Sequence, residues 1–256
     1  MNTTPRSILI TGAGSGLGRG LAQFLAASRH RLYLADLRLD TVQETIALLP
    51  KSTHATAHAI DVASSSAIEQ FLKSIGDDSI DVVINNAGLQ HVSGINEFPE
   101  EKWDLLIAVM LKGPFLLSRA LLPRMRKNGF GRIVNIGSIH ALVASPFKAA
   151  YVAAKHGLLG LSKVIALECA SAEITVNTIC PAYVRTPLVD AQIRAQAQTH
   201  HISEQDVIDK IMLEPMPKKA FITIEEIAAT VEFLISPQAR NITGQTVVID
   251  GGWTAR

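Results

Sequence analysis

The sequence predicts an α/β fold: a doubly wound, parallel sheet of seven strands with helices on both faces and a helical lid over one end. Three observations predict it. Short β-rich runs alternate with helical stretches along all 256 residues, the βαβ pattern that gives a parallel sheet covered on both sides. No internal repeat, low-complexity tract or Pro/Gly/Ser-rich linker interrupts that alternation, so residues 1–256 read as one domain. The composition, 48% hydrophobic and 18% charged, fills a large core and falls below the usual charged share of about 25%, which points to apolar surface hidden in an oligomer.

The elements follow in order. Ser7–Thr11 is the first strand, and the glycine-rich stretch after it opens the first helix. Arg31–Ala35, His54–Ile60 and Ile80–Asn85 are the next three strands, each a short apolar or β-branched run bounded by turn residues. Glu100–Met125 and Ala149–Ser171 are long amphipathic helices flanking the fifth strand, Gly131–Ile136, with apolar surface enough to serve as subunit interfaces. Ile174–Cys180 is the sixth strand. About forty residues, Pro181 to Thr223, then break the rhythm, and a connection this long is usually a functional lid. Its patches Val189–Gln198 and Glu204–Met212 have helical periodicity, so an ordered lid is expected. A helix near Ile224–Ile235 and a seventh strand, Thr246–Asp250, complete the sheet.

Twenty-four basic residues against 23 acidic ones leave a net charge of +1, which gives no electrostatic case for nucleic acid or an anionic membrane. Any anionic ligand must be caught locally. Cys169 and Cys180, the 2 cysteines, have neither metal-binding nor disulfide-scaffold spacing, and Met1–Arg6 carries no apolar leader, so a reducing, cytoplasmic setting is expected. No unbroken apolar run reaches the ~18 residues a membrane span needs. The histidines outside the segments below, including His54, His58 and the pair His200-His201, lack partners at ligand spacing, and no catalytic metal is implied.

Chemistry enters at Thr11-Gly12-Ala13-Gly14-Ser15-Gly16-Leu17-Gly18, where a strand passes into a helix and free backbone N–H groups can hold a pyrophosphate. Asp36 ends the second strand eighteen positions after Gly18, near the ~20-residue offset at which a carboxylate accepts from ribose hydroxyls and repels a 2′-phosphate. Ser15 is not basic and Arg38 is the one cation nearby, so NAD is the expected cofactor. Asp61-Val62, at the end of the third strand, is placed to meet an adenine, with Asp61 as a helix cap the alternative.

Further on stand Asn85-Asn86-Ala87-Gly88, Ser138, Tyr151-Val152-Ala153-Ala154-Lys155 and Pro181-Ala182-Tyr183-Val184-Arg185-Thr186. With the glycine turn, spaced TGxxxGxG, these motifs in this order resemble the short-chain dehydrogenase/reductase family from end to end. The resemblance implies a Rossmann-like fold and an oxidoreductase that is usually a homotetramer. It implies NAD contacts at Gly12, Ser15, Gly16, Leu17, Gly18, Asp36, Asp61, Val62, Asn86, Ala87, Gly88, Pro181, Val184 and Thr186. Tyr151, Lys155 and Ser138 would be its reaction centre, Lys155 also holding the nicotinamide ribose.

The spacing of Tyr151 and Lys155 supports that chemistry independently. Residues four apart share a helix face, which brings an ammonium beside a phenol. A cation at ~4 Å in an effective dielectric of ~20 is worth roughly 4 kcal/mol, and an oxidised nicotinamide would add to it, which together bring a phenol of pKa about 10 near 7. Tyr151 could then take the proton of an alcohol as general base while hydride leaves, and Ser138 would bond the same oxygen. Met110 stands where many relatives have an Asn that completes a tetrad, so a proton relay would use its main-chain carbonyl instead.

Segments within the motifs narrow the substrate. Gly88–Val92, Ser138–Ser145 with Lys148, Tyr183–Val189 with Gln192, and the terminus Asp250–Arg256 resemble a branch of the family acting on short 3-hydroxy acids. The resemblance makes Gln90, His140, Lys148 and Gln192 the carboxylate-binding group, with Trp253 as an apolar wall. His140 two residues after Ser138 and Lys148 three before Tyr151 flank the reacting carbon, which suits a small hydroxy acid better than an apolar substrate. A polyol, sugar or 3-oxoacyl substrate, or a nucleotide-binding protein without chemistry, are the competing readings.

Overall fold

The computed structural model describes residues 5–255; Met1–Thr4 and Arg256, the last residue of the terminal segment, lie outside the described residues. Its seven strands are β1 (Ser7–Thr11), β2 (Arg31–Asp36), β3 (Ala55–Ala59), β4 (Val82–Asn85), β5 (Gly131–Ile136), β6 (Ile174–Pro181) and β7 (Thr246–Ile249). They form one sheet in the order β3-β2-β1-β4-β5-β6-β7, and every pairing is parallel. The chain reverses its direction of winding between β1 and β4, and in such sheets ligands bind at the carboxyl ends of the strands beside that point.

Because both faces are covered, the central strands read as unbroken apolar runs whose successive residues serve opposite cores. Ile8 and Ile10 of β1 join Leu32, Leu34, Val82 and Ile84 on one face. There they meet α1 (Gly16–Ala26) and α9 (Ile224–Ile235) through Leu21, Leu25, Ile227 and Val231. Leu9 joins Tyr33, Val83, Ile133 and Val176 on the other face, against Phe71 of α3 (Ser65–Ser74), Leu117 and Leu121 of α5 (Gly113–Asn128) and Ile165 of α6 (Ala149–Glu168). The remaining helices are α2 (Leu39–Ala47), α4 (Glu100–Ile107), α7 (Pro187–His200) and α8 (Glu204–Val207).

Several element ends shift by one to three residues from the sequence expectation, and three places differ beyond that. The helix expected over Glu100–Met125 is α4 and α5 joined by a π-helical turn, Ala108–Lys112, and it runs on to Asn128, where left-handed Gly129 (φ 69°) ends it. By length and composition the stretch Glu100–Asn128 passes as a membrane span, which the absence of an unbroken apolar run did not suggest. Half of its most apolar window is nevertheless buried inside the protein, as in a core helix. The second lid patch also ends in a π-helical turn, Ile208–Met212.

The lid segment is pinned at its root. Val184 and Ile222 form an isolated parallel bridge, and Ile222 N–H donates to the Tyr183 carbonyl at 2.9 Å. Between them the segment has a small core of its own, Val189, Ile193, Val207 and Met212. Thr186 caps α7, with Pro187 in its first turn, and a capping box of Thr223 and Glu226 starts α9.

Candidate active site

A cleft of about 400 Å³ runs from the glycine turn to the lid across the carboxyl ends of the strands. At its glycine end the walls are Gly12, Ser15, Gly16, Leu17 and Asp36. The turn is tied to the segment after β4: Thr11 Oγ1 accepts from the Asn86 and Ala87 N–H groups at 3.0 and 3.1 Å, and Asn86 Nδ2 donates to the Thr11 carbonyl at 2.9 Å. Only glycine fits there. Gly12 has φ 65° and a Cβ on it would stand 2.9 Å from Ala87 Cα; one on Gly18 would stand 2.1 Å from the Gly12 carbonyl oxygen.

Asp36 Oδ2 accepts the Gly14 N–H at 3.0 Å, so the carboxylate is braced by the turn it faces. Arg38 is engaged elsewhere, its Nε donating to Asp40 Oδ1 at 3.1 Å and its Nη2 pairing with Asp40 Oδ2. A strand-to-helix turn closed by glycines, with a braced carboxylate at the end of β2, fits the adenosine half of a nicotinamide cofactor. Gly88, Pro181, Val184 and Thr186 line the cleft further along. Gly18, Asp61, Val62 and Ala87 do not stand in its walls. Gly18 and Ala87 shape the turn from behind, exposed Asp61 accepts the Ala63 N–H at 2.9 Å, and Val62 is buried against Gly113. The cap of α3 is Ser64, not Asp61.

At the centre, β5 delivers Ser138 and α6 delivers Tyr151 and Lys155. Ser138 Oγ accepts the His140 N–H at 3.2 Å, which leaves its own proton free, and its hydroxyl acts on the Tyr151 phenol. Lys155 Nζ donates to the Ile136 carbonyl at 2.7 Å and lies 5.6 Å from the centroid of the Tyr151 ring. Burial pushes the Tyr151 phenol above its ordinary value, the Ser138 hydroxyl draws it back, and burial brings the Lys155 ammonium down to about 8. The expected phenol near 7 is therefore not a property of these residues alone, because burial of both groups opposes the pull of the cation.

The sequence reading overlooked how α6 is held. Asn85 Nδ2 donates to Asn135 Oδ1 at 2.7 Å, Asn135 Nδ2 donates to Ser162 Oγ at 2.8 Å, and Ser162 donates to the Leu158 carbonyl at 2.6 Å. This buried chain locks β4, β5 and α6 in register two turns from Lys155. Gly137 was overlooked as well: a Cβ there would meet Cys180 Sγ and Thr178 Cγ2, each at 2.7 Å, and its place just before Ser138 was the available signal.

Met110, in the π-helical turn, is 1% exposed, lines the cleft and packs with Leu106, Ala150 and Ala154. π-Helical turns often occur at functional sites.

The far end holds Gln90, His140, Lys148, Tyr183 and Gln192. Lys148 Nζ is 3.2 Å from His140 Nε2. The ammonium can only donate, so this imidazole is neutral with its proton on Nδ1. Burial first, and Lys148 second, bring His140 down to about 4; burial also lowers Lys148. His140 Nδ1 and Gln90 Oε1 are buried without hydrogen-bond partners among the described residues, as groups awaiting a ligand are. Trp253 stands behind the wall, stacked on Tyr183 at 6.1 Å and edge-on to His140 at 6.0 Å. Among the described residues no cluster of His, Cys, Asp or Glu is assembled that could hold a metal ion.

A family model described as Enoyl-(Acyl carrier protein) reductase matches residues 12–254. The D-beta-hydroxybutyrate dehydrogenase of Rhizobium meliloti is 45% identical over 257 residues, covering 98% of this chain and 99% of that one. That of Cupriavidus necator is 39% identical over 254 residues, covering 98% of each. A solved structure from Agrobacterium tumefaciens, provisionally named 2-deoxy-D-gluconate 3-dehydrogenase and holding NADP, superposes with a TM-score of 0.87 at 34% identity, covering 100% of this chain and 99% of that one.

Proposed function

The chain belongs to the short-chain dehydrogenase/reductase family of oxidoreductases, and on that premise we propose that it oxidises D-3-hydroxybutyrate reversibly to acetoacetate with NAD. One observation carries the substrate: the Lys148 ammonium, in the cleft with the reaction centre, has the His140 imidazole beside it and no carboxylate partner among the described residues. A cation drawn partly out of water without a counter-charge suits an anionic ligand. The two relatives named D-beta-hydroxybutyrate dehydrogenase support the same acid.

NAD rests on Asp36, whose carboxylate suits a ribose diol and opposes a 2′-phosphate, and on Arg38, which Asp40 already occupies. The NADP in the Agrobacterium structure is the counter-observation. Gly12, Ser15, Gly16, Leu17 and Asp36 would hold the adenosine and phosphates, and Lys155 and Tyr151 the nicotinamide ribose. When bound, NAD supplies the acceptor for the hydride leaving C3 and a positive ring near the phenol.

The protein's own residues do the rest. Tyr151 takes the hydroxyl proton as general base, and Ser138, its proton free for the purpose, bonds the same oxygen. Lys155, buried against the Ile136 carbonyl, holds positive charge beside the phenol and passes the proton on. Lys148 and His140, with Gln90 and Gln192, grip the carboxylate and so aim the carbinol carbon.

A sugar acid is the second reading, favoured by the Agrobacterium neighbour; it too would use Lys148. Free, buried Cys169 and Cys180 suit a reducing cytoplasm. Exposed Phe115, Val164 and Leu167 on α5 and α6 suit burial between the subunits of a homotetramer. Initial rates at the reduced-nicotinamide absorbance test the substrate: the acid should be turned over and its methyl ester rejected, and equal rates with the two would refute the carboxylate grip.

A further inference from the structure

The turn that follows β7 is built around one carboxylate. Asp250 is 9% exposed. Its Oδ1 accepts the Gly252 N–H at 2.9 Å, and its Oδ2 accepts both the Thr254 N–H at 2.8 Å and the Thr254 hydroxyl at 2.7 Å. The Asp250 carbonyl also accepts the Trp253 N–H at 3.2 Å. Asp250 therefore accepts from every residue between Gly252 and Thr254, and hydrogen bonds to a charged acceptor are the strong kind.

The turn has little freedom to drift. Gly251 and Gly252 are left-handed, with φ of 61° and 90°, and lie against Met216 and Pro217 so closely that a Cβ on either would stand 3.1 or 3.3 Å from them. Lys218 N–H donates to the Gly251 carbonyl at 3.1 Å. The turn thus rests on the returning arm of the lid segment. What it delivers is the Trp253 ring, stacked on Tyr183 and edge-on to His140, and both of those residues line the cleft.

The geometry points to Asp250 as a positioning residue for substrate recognition: its carboxylate sets the Trp253 ring, which holds His140 and Tyr183 in place at the acid-binding end of the cleft. Asp250 lies outside the cleft walls and touches no reacting atom. Its influence passes through a ring contact. The inference rests on the reading that His140 and Lys148 receive the substrate's carboxylate, so the loss should fall on substrate affinity and spare cofactor affinity.

The test uses the full chain with NAD in a Trp103→Phe background, which leaves Trp253 as the sole tryptophan of the 2. In Asp250→Ala, acrylamide quenching of Trp253 should rise at least about twofold and KM for D-3-hydroxybutyrate about tenfold, with kcat within about threefold and NAD affinity unchanged. Asp250→Asn, which keeps one acceptor oxygen, should fall between the two. A KM within twofold of the parent in both variants overturns the inference, as does a raised KM with unchanged quenching. If Asp250→Ala does not fold, Asp250→Asn and Thr254→Val carry both readouts, and no change in either readout in both variants overturns it. A folded parent that fails to oxidise the acid counts instead against the substrate reading; the quenching comparison then decides on Asp250 alone.

Discussion

Lys148 Nζ lies 3.2 Å from His140 Nε2, and this pair places a cation at the cleft's far end on a neutral ring whose proton is on Nδ1. Removing the ammonium leaves a bound carboxylate desolvated without its cation, a loss of about 3–5 kcal/mol for a buried pair. Lys148 keeps some contact with water, so Lys148→Ala should lower kcat/KM for D-3-hydroxybutyrate by about 10²–10³, the lower part of that range. NAD affinity, measured by titration, should stay the same.

Tyr151→Phe keeps the ring and removes the proposed base. Its kcat should fall by about 10²–10⁴ or more while NAD still binds. Lys155→Ala should damage both turnover and NAD affinity. A Tyr151→Phe enzyme with more than a tenth of parental kcat would contradict the assignment.

Cofactor choice should follow Asp36, which is braced by the Gly14 N–H. The native chain should prefer NAD over NADP by at least about tenfold in kcat/KM, roughly 1.4 kcal/mol. Asp36→Ala should lose much of that margin, as paired kinetics with the two cofactors will read.

Met110 packs among Leu106, Ala150 and Ala154. Met110→Asn puts an amide into that apolar setting and should cost about 1–3 kcal/mol of stability, seen as a lower Tm. Its kcat should change by less than about tenfold, since a relay through the main-chain carbonyl survives. A hundredfold gain in kcat would mean that the methionine impairs the enzyme.

Burial brings His140 down to about 4 from an unfolded value near 6.5. Between those values the unfolded chain binds the proton and the folded chain does not. Stability from this group is thus complete above pH 6.5 and is lost as pH falls toward 4. Burial lowers His30 and His58 as well, so the readout is a difference. Denaturant unfolding of His140→Gln should show a shallower loss of stability over that range than the native chain.

Much of this was legible because it is local. The glycine turn and the Tyr151–Lys155 spacing are each written within a few adjacent residues, and each strand or helix of the alternation within one short run. The π-helical turn at Ala108–Lys112 was not, because widening one helical turn leaves the apolar periodicity almost intact. Nor was the Asn85–Asn135–Ser162 chain, whose members meet only when β4, β5 and α6 are in register. Asp61 was suited to an adenine, with a helix cap the alternative; the structure puts Ser64 at the cap and the Asp61 carboxylate on the Ala63 N–H. Trp253 could be named as a wall, but its route to His140 depends on a turn more than a hundred residues away in the chain.

The central claim, that the cleft selects a short 3-hydroxy acid by its carboxylate, is tested most directly by kcat/KM with NAD for D-3-hydroxybutyrate, 2-deoxy-D-gluconate and a 3-hydroxyacyl thioester under one set of conditions. The acid should exceed both others by at least about a hundredfold, roughly 2.7 kcal/mol of transition-state preference. Turnover of the sugar acid or the thioester at an equal or higher kcat/KM would contradict it.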